Sequence, residues 1–345
     1  MPPRAAGRCA SARAPGHGRG GRAEDVSTVA TLPSPVPRYL RLSVTSRCNL
    51  RCVYCRPASG AEGADVLSRE EIAHFVRLAV ACGIEKVRVT GGEPLVRHDI
   101  VPIVRDLAAV PGLQDLGLTT NATLLAPLAR PLREAGLRRV NIGLSALTPA
   151  VYRQVTRGGE VRDALAGLRA ALDAGFAPVK VNVVLMRGVN DGEIPAIAGL
   201  TREDPVEVRF VEYMPFGAGA DAGRHYVVPA AEVLSRLREL GELTPLPGTR
   251  GPAAARGLRI AGHRGSVGVI APHSEPFCHA CNRLRLTADG RLRACLIEGG
   301  ERDLLPLIRQ GLDRPTLERL LAEAAAAKPA AHKGSFRGEM HRIGG

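Results

Sequence analysis

The chain has 345 residues, 45% of them hydrophobic, and its 47 Lys and Arg outnumber its 34 Asp and Glu to give a formal charge of +13. This length allows one barrel-sized domain with an appendage, and the basic balance suits an acidic partner such as a nucleic acid or a small phosphorylated molecule. Because no apolar run approaches the roughly 18 residues of a membrane span and no signal-peptide core precedes the cysteines, the sequence predicts a cytoplasmic protein.

Residues 1–36 are predicted to form a disordered, basic N-terminal tail. The first 23 residues hold five arginines and no acid, are rich in Gly, Ala and Pro, and show no apolar period. An Arg-rich start without acids also fits an organelle transit peptide. The tail has too few apolar residues, however, for the amphipathic helix that such peptides form.

Between residues 37 and 225, β-rich runs alternate with helical patterns. The predicted strands are Arg38–Thr45, Glu85–Thr90, Leu113–Thr120, Arg138–Ser145, Val179–Leu185 and Val206–Tyr213. The predicted helices lie near Ser68–Cys82, Asp99–Ala109, Leu124–Ala135, Val161–Ala174 and Gly192–Leu200. Such alternation indicates parallel βα units, and six units fall short of the eight in a closed barrel. The predicted fold class is therefore α/β, an open TIM-like barrel whose functional loops follow the carboxyl ends of the strands.

Residues 226–345 no longer show the regular alternation of strand and helix patterns and are predicted to form an α+β extension that closes the barrel. A helix at Ala230–Leu240 precedes a Pro- and Gly-rich stretch at Thr244–Gly257 and two β-like runs. A hairpin around Asp289–Gly290 and two helices ending near Lys328 follow. We expect this extension to pack on the barrel rather than to fold as an independent domain.

Three cysteines, Cys48, Cys52 and Cys55, follow the first predicted strand with the spacing C-x3-C-x2-C. A structural zinc takes four ligands, so a zinc site here would need a distant His, and three buried thiols are the plainest alternative. A cubane iron–sulfur cluster held by three thiolates keeps one iron open for another ligand. The pattern favours a 4Fe–4S cluster with an open iron.

Cys278, Cys281 and Cys295 form a second set of three, with the spacing C-x2-C-x13-C. A zinc ribbon needs a further C-x2-C pair, which the sequence lacks, and His279 lies inside the motif, where its geometry would compete with that of its neighbours. A second cluster with an open iron is therefore the favoured interpretation.

Arg283 and Arg285 lie between the cysteines of the second set. Because side chains alternate along a strand, both guanidinium groups are predicted to share one face. Two arginines on a strand usually form a solvated basic edge. Beside an open cluster they are instead predicted to clamp a phosphate or carboxylate, which a planar guanidinium binds through two hydrogen bonds.

The first cysteine motif, with Tyr54 before its last Cys, resembles that of the radical S-adenosylmethionine (SAM) enzymes. In that family the amine and carboxylate of SAM chelate the open iron. The run Thr90–Pro94, Thr-Gly-Gly-Glu-Pro, resembles the segment whose backbone contacts the SAM amine. With the second cysteine set, the Arg-x-Arg pair and the terminal Gly344-Gly345, the chain is similar to the GTP 3′,8-cyclase family of molybdenum cofactor biosynthesis from about Tyr39 onward.

The resemblance implies two 4Fe–4S clusters and SAM as cofactors, and it assigns roles to the matching positions. The ligands of the first cluster would be Cys48, Cys52 and Cys55, and those of the second Cys278, Cys281 and Cys295. The positions that line SAM are Tyr54, Gly92 and Met214. The positions that contact GTP are Arg41, Arg88, Thr119, Lys180, Arg283, Leu284 and Arg285. The catalytic positions are Arg283, Arg285, Gly344 and Gly345, since the double-glycine tail of the family inserts toward the active site.

The implied reaction is the radical cyclisation of GTP to (8S)-3′,8-cyclo-7,8-dihydroguanosine 5′-triphosphate, the first step of molybdenum cofactor (molybdopterin) biosynthesis. A 5′-deoxyadenosyl radical formed from SAM would abstract the ribose 3′ hydrogen, and the resulting carbon radical would attack C8 of guanine. The implied partners are GTP, a cellular electron donor, and the cyclic pyranopterin monophosphate synthase that receives the product. No nucleic acid or membrane is expected, and formation of a homodimer is left open.

Three positions depart from the family pattern. Ser46 stands where the family usually has Asp, and Arg56 where it often has Met. Gly143 replaces a Ser that contacts SAM in the family. Ser145 points to the same face of the predicted strand, so we expect its hydroxyl to replace the missing one in part.

Two other functions are compatible with parts of the sequence. A peptide-modifying radical SAM enzyme shares the first motif, but such enzymes generally need more cysteines for a closed auxiliary cluster. A basic nucleic-acid-binding protein with zinc sites would explain the charge, but five Tyr, six Phe and no Trp leave few platforms for stacking bases. Cys9 and Cys82 are predicted to lie outside both cysteine sites.

Overall fold

The computed structural model describes residues 37–55, 67–214, 223–247, 256–331 and 340–343. The predicted tail at 1–36, Cys9, Arg56, Gly344 and Gly345 lie outside the described residues. The described strands are β1 (Tyr39–Ser43), β2 (Lys86–Thr90), β3 (Asp115–Thr120), β4 (Arg139–Gly143), β5 (Val179–Leu185), β6 (Val206–Glu212), β7 (Leu243–Pro245), β8 (Arg256–Ile260), β9 (Ser266–Ile270), β10 (Arg283–Leu286), β11 (Arg291–Cys295) and β12 (Gly299–Asp303). The described helices are α1 (Arg69–Ala81), α2 (Ile100–Ala108), α3 (Ala129–Glu134), α4 (Pro149–Thr156), α5 (Val161–Asp173), α6 (Ile194–Glu203), α7 (Ala230–Arg238), α8 (Leu305–Arg309), α9 (Arg314–Ala326) and α10 (Met340–Ile343).

The described strands form one twelve-stranded sheet in the order β12-β11-β10-β1-β2-β3-β4-β5-β6-β9-β8-β7. Strands β1 to β6 are parallel neighbours in sequence order. At one edge β10 lies parallel to β1, and at the other β9 lies parallel to β6. Antiparallel strands complete both margins. The predicted open α/β barrel of six βα units with a C-terminal extension is confirmed, and the extension adds strands to both edges.

The two faces of the parallel strands have different side chains, because residues alternate along a strand. Leu40 and Leu42 of β1 are fully buried in the hydrophobic core, as are Val87 and Val89 of β2. Arg41 lies between the two leucines on the opposite face and lines a cavity. One face therefore packs against the helices, while the other carries polar and charged groups into the interior of the barrel.

Helices α3 and α4 differ from the prediction. Helix α4 (Pro149–Thr156) falls in a segment for which no helix was predicted; it has only about two turns, begins at a proline and buries Tyr152 and Val155. Helix α3 begins at Ala129 rather than near Leu124. The residues before it close short turns instead, with the Leu128 N–H donating to the Leu125 carbonyl.

Strands β7 and β12 were also not predicted. Strand β12 (Gly299–Asp303) has the sequence Gly-Gly-Glu-Arg-Asp and lacks the β-branched and aromatic residues typical of strands, so pairing with β11 stabilises it. In the part of the chain that the structure describes, no helix is both long and apolar enough to cross a bilayer.

Candidate functional site

Both cysteine sets line a single cavity of about 360 Å³. The first set follows β1, and the second set lies on the turn before β10 and at the end of β11. The structure therefore brings together two motifs from opposite ends of the sequence. Cys82 lies elsewhere, and its thiol donates to the Arg314 carbonyl at 3.8 Å, as expected for a cysteine outside both sites.

Neither set has the geometry of a mononuclear metal site. Among the described residues, no three His, Cys, Asp or Glu side chains converge as the ligands of a single ion do. Among the described residues, none of the six cysteines of the two sets is joined in a disulfide. Each set supplies three thiols, which is the number that a cubane with one open iron takes and one fewer than the four ligands of a closed zinc tetrahedron.

The C-terminal end of α4 holds the first cysteine loop in place. The Arg51 N–H donates to the Thr156 carbonyl at 3.1 Å, and the Val53 N–H donates to the Val155 carbonyl at 2.9 Å. Within the loop, the Leu50 N–H donates to Cys48 Sγ at 3.4 Å. The helix that the sequence analysis missed is thus a support of this loop.

Gly92 brings the Thr90–Pro94 segment against the cysteine loop. A Cβ at Gly92 would lie 2.2 Å from the Arg47 carbonyl oxygen, so only glycine fits without movement. The Gly92 N–H donates to the Thr45 carbonyl at 2.8 Å. The two loops therefore touch through their backbones, and Gly92 lies on the cavity wall.

The other predicted SAM positions, Tyr54, Met214 and Ser145, also line the cavity, as does Gly143. The hydroxyls of Tyr54 and Ser145 are 3.2 Å apart and form a hydrogen bond. A Cβ at Gly143 would lie 3.8 Å from the Thr120 carbonyl oxygen, so the missing side chain leaves space. Ser46 is buried, and its hydroxyl has no hydrogen-bond partner among the described residues.

Glu93 links this glycine segment to the end of β3, which the sequence analysis did not anticipate. Its carboxylate accepts hydrogen bonds from Thr120 Oγ1 at 2.7 Å, from the Asn121 N–H at 2.7 Å and from the Leu95 N–H at 3.0 Å. Burial raises the pKa of Glu93 to about 7, although the three donors oppose that rise. The sequence feature that could have pointed to Glu93 is its position directly after a pair of glycines at the end of a strand.

Three arginines gather on the cavity wall near the second cysteine set. Arg41 of β1 is paired in register with Arg285 of β10, and Arg283 lies on the same face of β10. Burial lowers the pKa of Arg285 well below its usual range, and the charges of Arg41 and Arg283 lower it further. Such mutually repelling cations fit an anionic ligand.

The same cations affect Tyr39 at the start of β1. Burial alone would raise the pKa of Tyr39, but the charges of Arg88 and Arg41 lower it to about 8. Thr119 lines the cavity as well, and its hydroxyl has no hydrogen-bond partner among the described residues. Asn182 Oδ1 is in the same situation on β5. These buried polar atoms indicate that the cavity accepts a polar ligand.

Three predicted GTP positions do not line the cavity. Arg88 donates to Asn141 Oδ1 at 3.3 Å. Lys180 forms an ion pair with Glu207 at 2.6 Å. Leu284 is fully buried in the hydrophobic core, on the face of β10 opposite the two arginines. Its side chain therefore points away from the cavity.

Two residues missed by the sequence analysis surround the second cysteine set. Arg293 donates to the Cys295 carbonyl at 2.7 Å and to the Leu296 carbonyl at 3.0 Å, which fixes the turn after β11. Lys328 donates to the Cys281 carbonyl at 2.9 Å, with Nζ 3.7 Å from the sulfur. Burial would raise the pKa of Cys281, but Arg283 and Lys328 lower it, as suits a metal-binding thiolate.

The described end of the chain reaches the same cavity. Met340 of α10 lines it, and the Ile343 carbonyl accepts a hydrogen bond from Arg285 Nη1 at 3.3 Å. The backbone that immediately precedes the terminal glycines thus lies at a predicted catalytic arginine. Gly344 and Gly345 themselves lie outside the described residues.

The open barrel, the cysteine loop after β1 and the glycine loop after β2 are features of the radical SAM enzymes, and residues 42–201 match the family model of the Radical SAM superfamily. Membership of that superfamily implies a 4Fe–4S cluster and SAM. Residues 206–334 match the model described as Molybdenum Cofactor Synthesis C. The chain is 50% identical to the GTP 3′,8-cyclase of Moorella thermoacetica over 85% of this chain and 92% of that protein. It is 44% identical to that of Listeria monocytogenes over 86% of this chain and 89% of that protein. The chain belongs to the GTP 3′,8-cyclase family.

Solved structures of low identity share the fold. The Streptococcus suis protein SuiB bound to its precursor peptide SuiA superposes with a TM-score of 0.58 at 13% identity, over 83% of this chain and 67% of that chain. The SAM-bound form of the same protein gives a TM-score of 0.57. At this identity the likeness concerns the architecture alone.

Proposed function

We propose that this chain is a GTP 3′,8-cyclase, which converts GTP to (8S)-3′,8-cyclo-7,8-dihydroguanosine 5′-triphosphate in the first step of molybdenum cofactor biosynthesis. The observation that carries the proposal is the single cavity lined by two cysteine sets and three arginines. A radical generated at one set needs its substrate within the same enclosure. The names of the relatives that match across most of the chain support the same activity.

Cys48, Cys52 and Cys55 would hold the first 4Fe–4S cluster, with SAM against Tyr54, Gly92 and Met214. When bound, the cluster and SAM supply a 5′-deoxyadenosyl radical. The backbone of Gly92 approaches the cysteine loop because no side chain intervenes. The Tyr54–Ser145 hydrogen bond orients two hydroxyls on the cavity wall next to the space at Gly143. Ser145 would therefore supply part of the polar contact that a serine at position 143 would make.

Cys278, Cys281 and Cys295 would hold a second 4Fe–4S cluster, whose open iron would bind the guanine end of GTP. Three thiols on the cavity wall would supply the three thiolates of such a cluster. Arg293 keeps Cys295 in place through its hydrogen bond to the backbone.

Arg41, Arg283 and Arg285 would neutralise the triphosphate, which carries about four negative charges near neutral pH. Thr119 would donate its hydroxyl to the same ligand. Arg88 and Lys180 now bond to Asn141 and Glu207, so we propose that they contact GTP only by exchanging those partners for phosphate oxygens. Arg283 and Arg285, with Gly344 and Gly345 entering beside them, would fix the ribose and base for cyclisation.

The wider setting is proposed in the same way. Residues 37–225 would form the radical SAM domain and residues 226–345 the extension that supplies the substrate side. The enzyme would act in the cytoplasm, take electrons from a cellular donor and pass its product to cyclic pyranopterin monophosphate synthase.

An anaerobic assay with SAM, dithionite and GTP tests the activity. We expect two products, 5′-deoxyadenosine and a cyclised nucleotide. The cyclised nucleotide should have the same mass as GTP, because one hydrogen is removed and one is returned. Both products should form with GTP and not with ATP. Formation of 5′-deoxyadenosine with an acceptor peptide, but not with GTP, would contradict the proposal and favour a peptide-modifying enzyme.

A further inference from the structure

Lys328 is a half-buried lysine that lines the cavity and has no role in the proposed reaction. It follows the C-terminal end of α9 (Arg314–Ala326), where it lines the cavity together with the second cysteine set. Its ammonium group donates to the Cys281 carbonyl at 2.9 Å and lies 3.7 Å from Cys281 Sγ. It therefore sits next to one proposed cluster ligand.

The charge of Lys328 has no carboxylate partner among the described residues, since its hydrogen bonds there go to Cys281 alone. By contrast, Lys180, which was predicted to bind GTP, forms an ion pair with Glu207. A partly buried cation is costly unless an anion compensates it. The nearby group that can be anionic is the Cys281 sulfur, which becomes a thiolate on binding iron.

We propose that Lys328 is a positioning residue for the second cluster, which holds the Cys281 thiolate through an N–H···S hydrogen bond and makes that cluster easier to reduce. The inference rests on the proposed second cluster. It goes beyond the ligand set, because it assigns a role to a side chain that binds neither iron nor, in this geometry, substrate.

The physical reason is the charge of the reduced cluster. One electron, supplied by dithionite or a protein donor, converts the 2+ core to the 1+ core, and no bond forms or breaks. The reduced cluster is more negative by one charge, so a cation and an N–H donor at a ligand sulfur stabilise it more than the oxidised cluster. Hydrogen bonds to sulfur are among the factors that set the potentials of such clusters.

The inference is tested by redox titration of the full-length protein, followed by electron paramagnetic resonance. A background with Cys48, Cys52 and Cys55 replaced by Ala leaves the second cluster as the source of the signal. On this background we expect Lys328→Met to lower the equilibrium constant for reduction at least tenfold, which corresponds to about 59 mV for one electron. Lys328→Arg should restore most of the potential, because it keeps the charge and the donor.

Arg319→Met is the matched control, since Arg319 lies on α9, the helix that precedes Lys328, but is exposed and paired with Glu323. This variant should leave the potential unchanged. If Lys328→Met does not retain iron, Lys328→Gln keeps a donor for the Cys281 carbonyl without the charge, and the same lowering is expected. An unchanged potential in an iron-replete Met or Gln variant overturns the role of Lys328 alone. Absence of iron and sulfide from the triple-cysteine background with native Lys328 overturns the second cluster and this inference together.

Discussion

The two cysteine sites share one cavity but are built in different ways. The first is a single loop after β1, in which Cys48, Cys52 and Cys55 lie within a span of eight residues. The second combines a short turn before β10 with the end of β11, so its three cysteines converge only after the β10–β11 hairpin has formed. The spacing of cysteines along one loop is enough to predict the chemistry of the first site. The second site forms only when β10 and β11 pair, so its geometry depends on strand pairing.

The surroundings of the two sites differ in charge as well. Near the first set, Cys52 lies beside another thiol, and burial together with Cys48 raises the pKa of Cys52 to about 12. Near the second set, Arg283 and Lys328 lower the pKa of Cys281. The environment of the second set is thus cationic and suits a nucleotide triphosphate.

The largest effects are expected when one cysteine is replaced in each site in turn. Cys52→Ala should abolish 5′-deoxyadenosine formation, because the open iron that binds SAM is lost. Cys281→Ala should keep the iron of the first cluster but lose the cyclised product, since GTP is no longer held. Iron and sulfide content, 5′-deoxyadenosine and product are measured for both variants. Full product formation by Cys281→Ala would show that the second set is not part of the substrate site.

The cationic character of the second site is tested by Arg285→Ala. Loss of a hydrogen bond to a charged group costs about 1.5–3 kcal/mol, so GTP affinity should fall roughly 10- to 150-fold while SAM affinity is retained. Anaerobic calorimetry measures both affinities. Arg291→Ala is the control, because Arg291 lies on the adjacent strand β11 and is half exposed beside Asp289. Equal GTP affinity in the Arg285 and Arg291 variants would refute the clamp.

Two glycines sharpen the description of the first site. Gly92→Ala places a methyl group 2.2 Å from the Arg47 carbonyl oxygen, and such overpacking costs about 1–3 kcal/mol. We expect weaker SAM binding and a lower melting temperature. Gly143→Ala meets only the Thr120 carbonyl oxygen at 3.8 Å and should leave the melting temperature nearly unchanged. Similar losses in both variants would mean that the two loops do not pack as described.

The smallest expected effect is a pH dependence that arises from Glu93. Its pKa in the folded protein, about 7, is above the ordinary value of 4.5, so the folded state binds the proton more tightly than the unfolded state. Stability should therefore fall as pH rises from about 4.5 to 7 and then level off, by at most about 1.4 kcal/mol per pH unit.

Glu93→Gln should remove this contribution to the pH profile. It also removes part of the hydrogen bonding at this position, which should lower stability where native Glu93 is protonated, because an amide N–H₂ replaces an oxygen that accepts from Thr120 or Asn121. Urea unfolding of the native and variant proteins at several pH values checks both points. Parallel profiles for the two proteins would exclude Glu93 as the titrating group.

The sequence predicted the fold well because its signals are local. The alternation of β-rich and helical patterns indicated six βα units, and the spacing of three cysteines in one loop favoured a cluster with an open iron. Helix α4 was missed because eight residues starting at a proline show too little periodicity. Strand β12 was missed because its sequence has little β propensity and its pairing with β11 is a tertiary effect.

Local sequence pattern also predicts which side chains of the strands line the cavity. Arg41, Thr119, Arg283 and Arg285 line the cavity as the sequence positions suggested, because alternation along parallel strands decides which face they occupy. Alternation also predicts that Leu284 faces the core, between two inward arginines.

By itself, the sequence determined the order of the six βα units, the two cysteine spacings and the family. Only the tertiary structure decided that both cysteine sets face one cavity, that Arg88 and Lys180 have partners inside the barrel, and that Lys328 reaches Cys281. The physical reason is distance along the chain. Spacing within one loop or strand fixes which groups are neighbours, whereas contacts between remote segments exist only when burial and strand pairing bring those segments together.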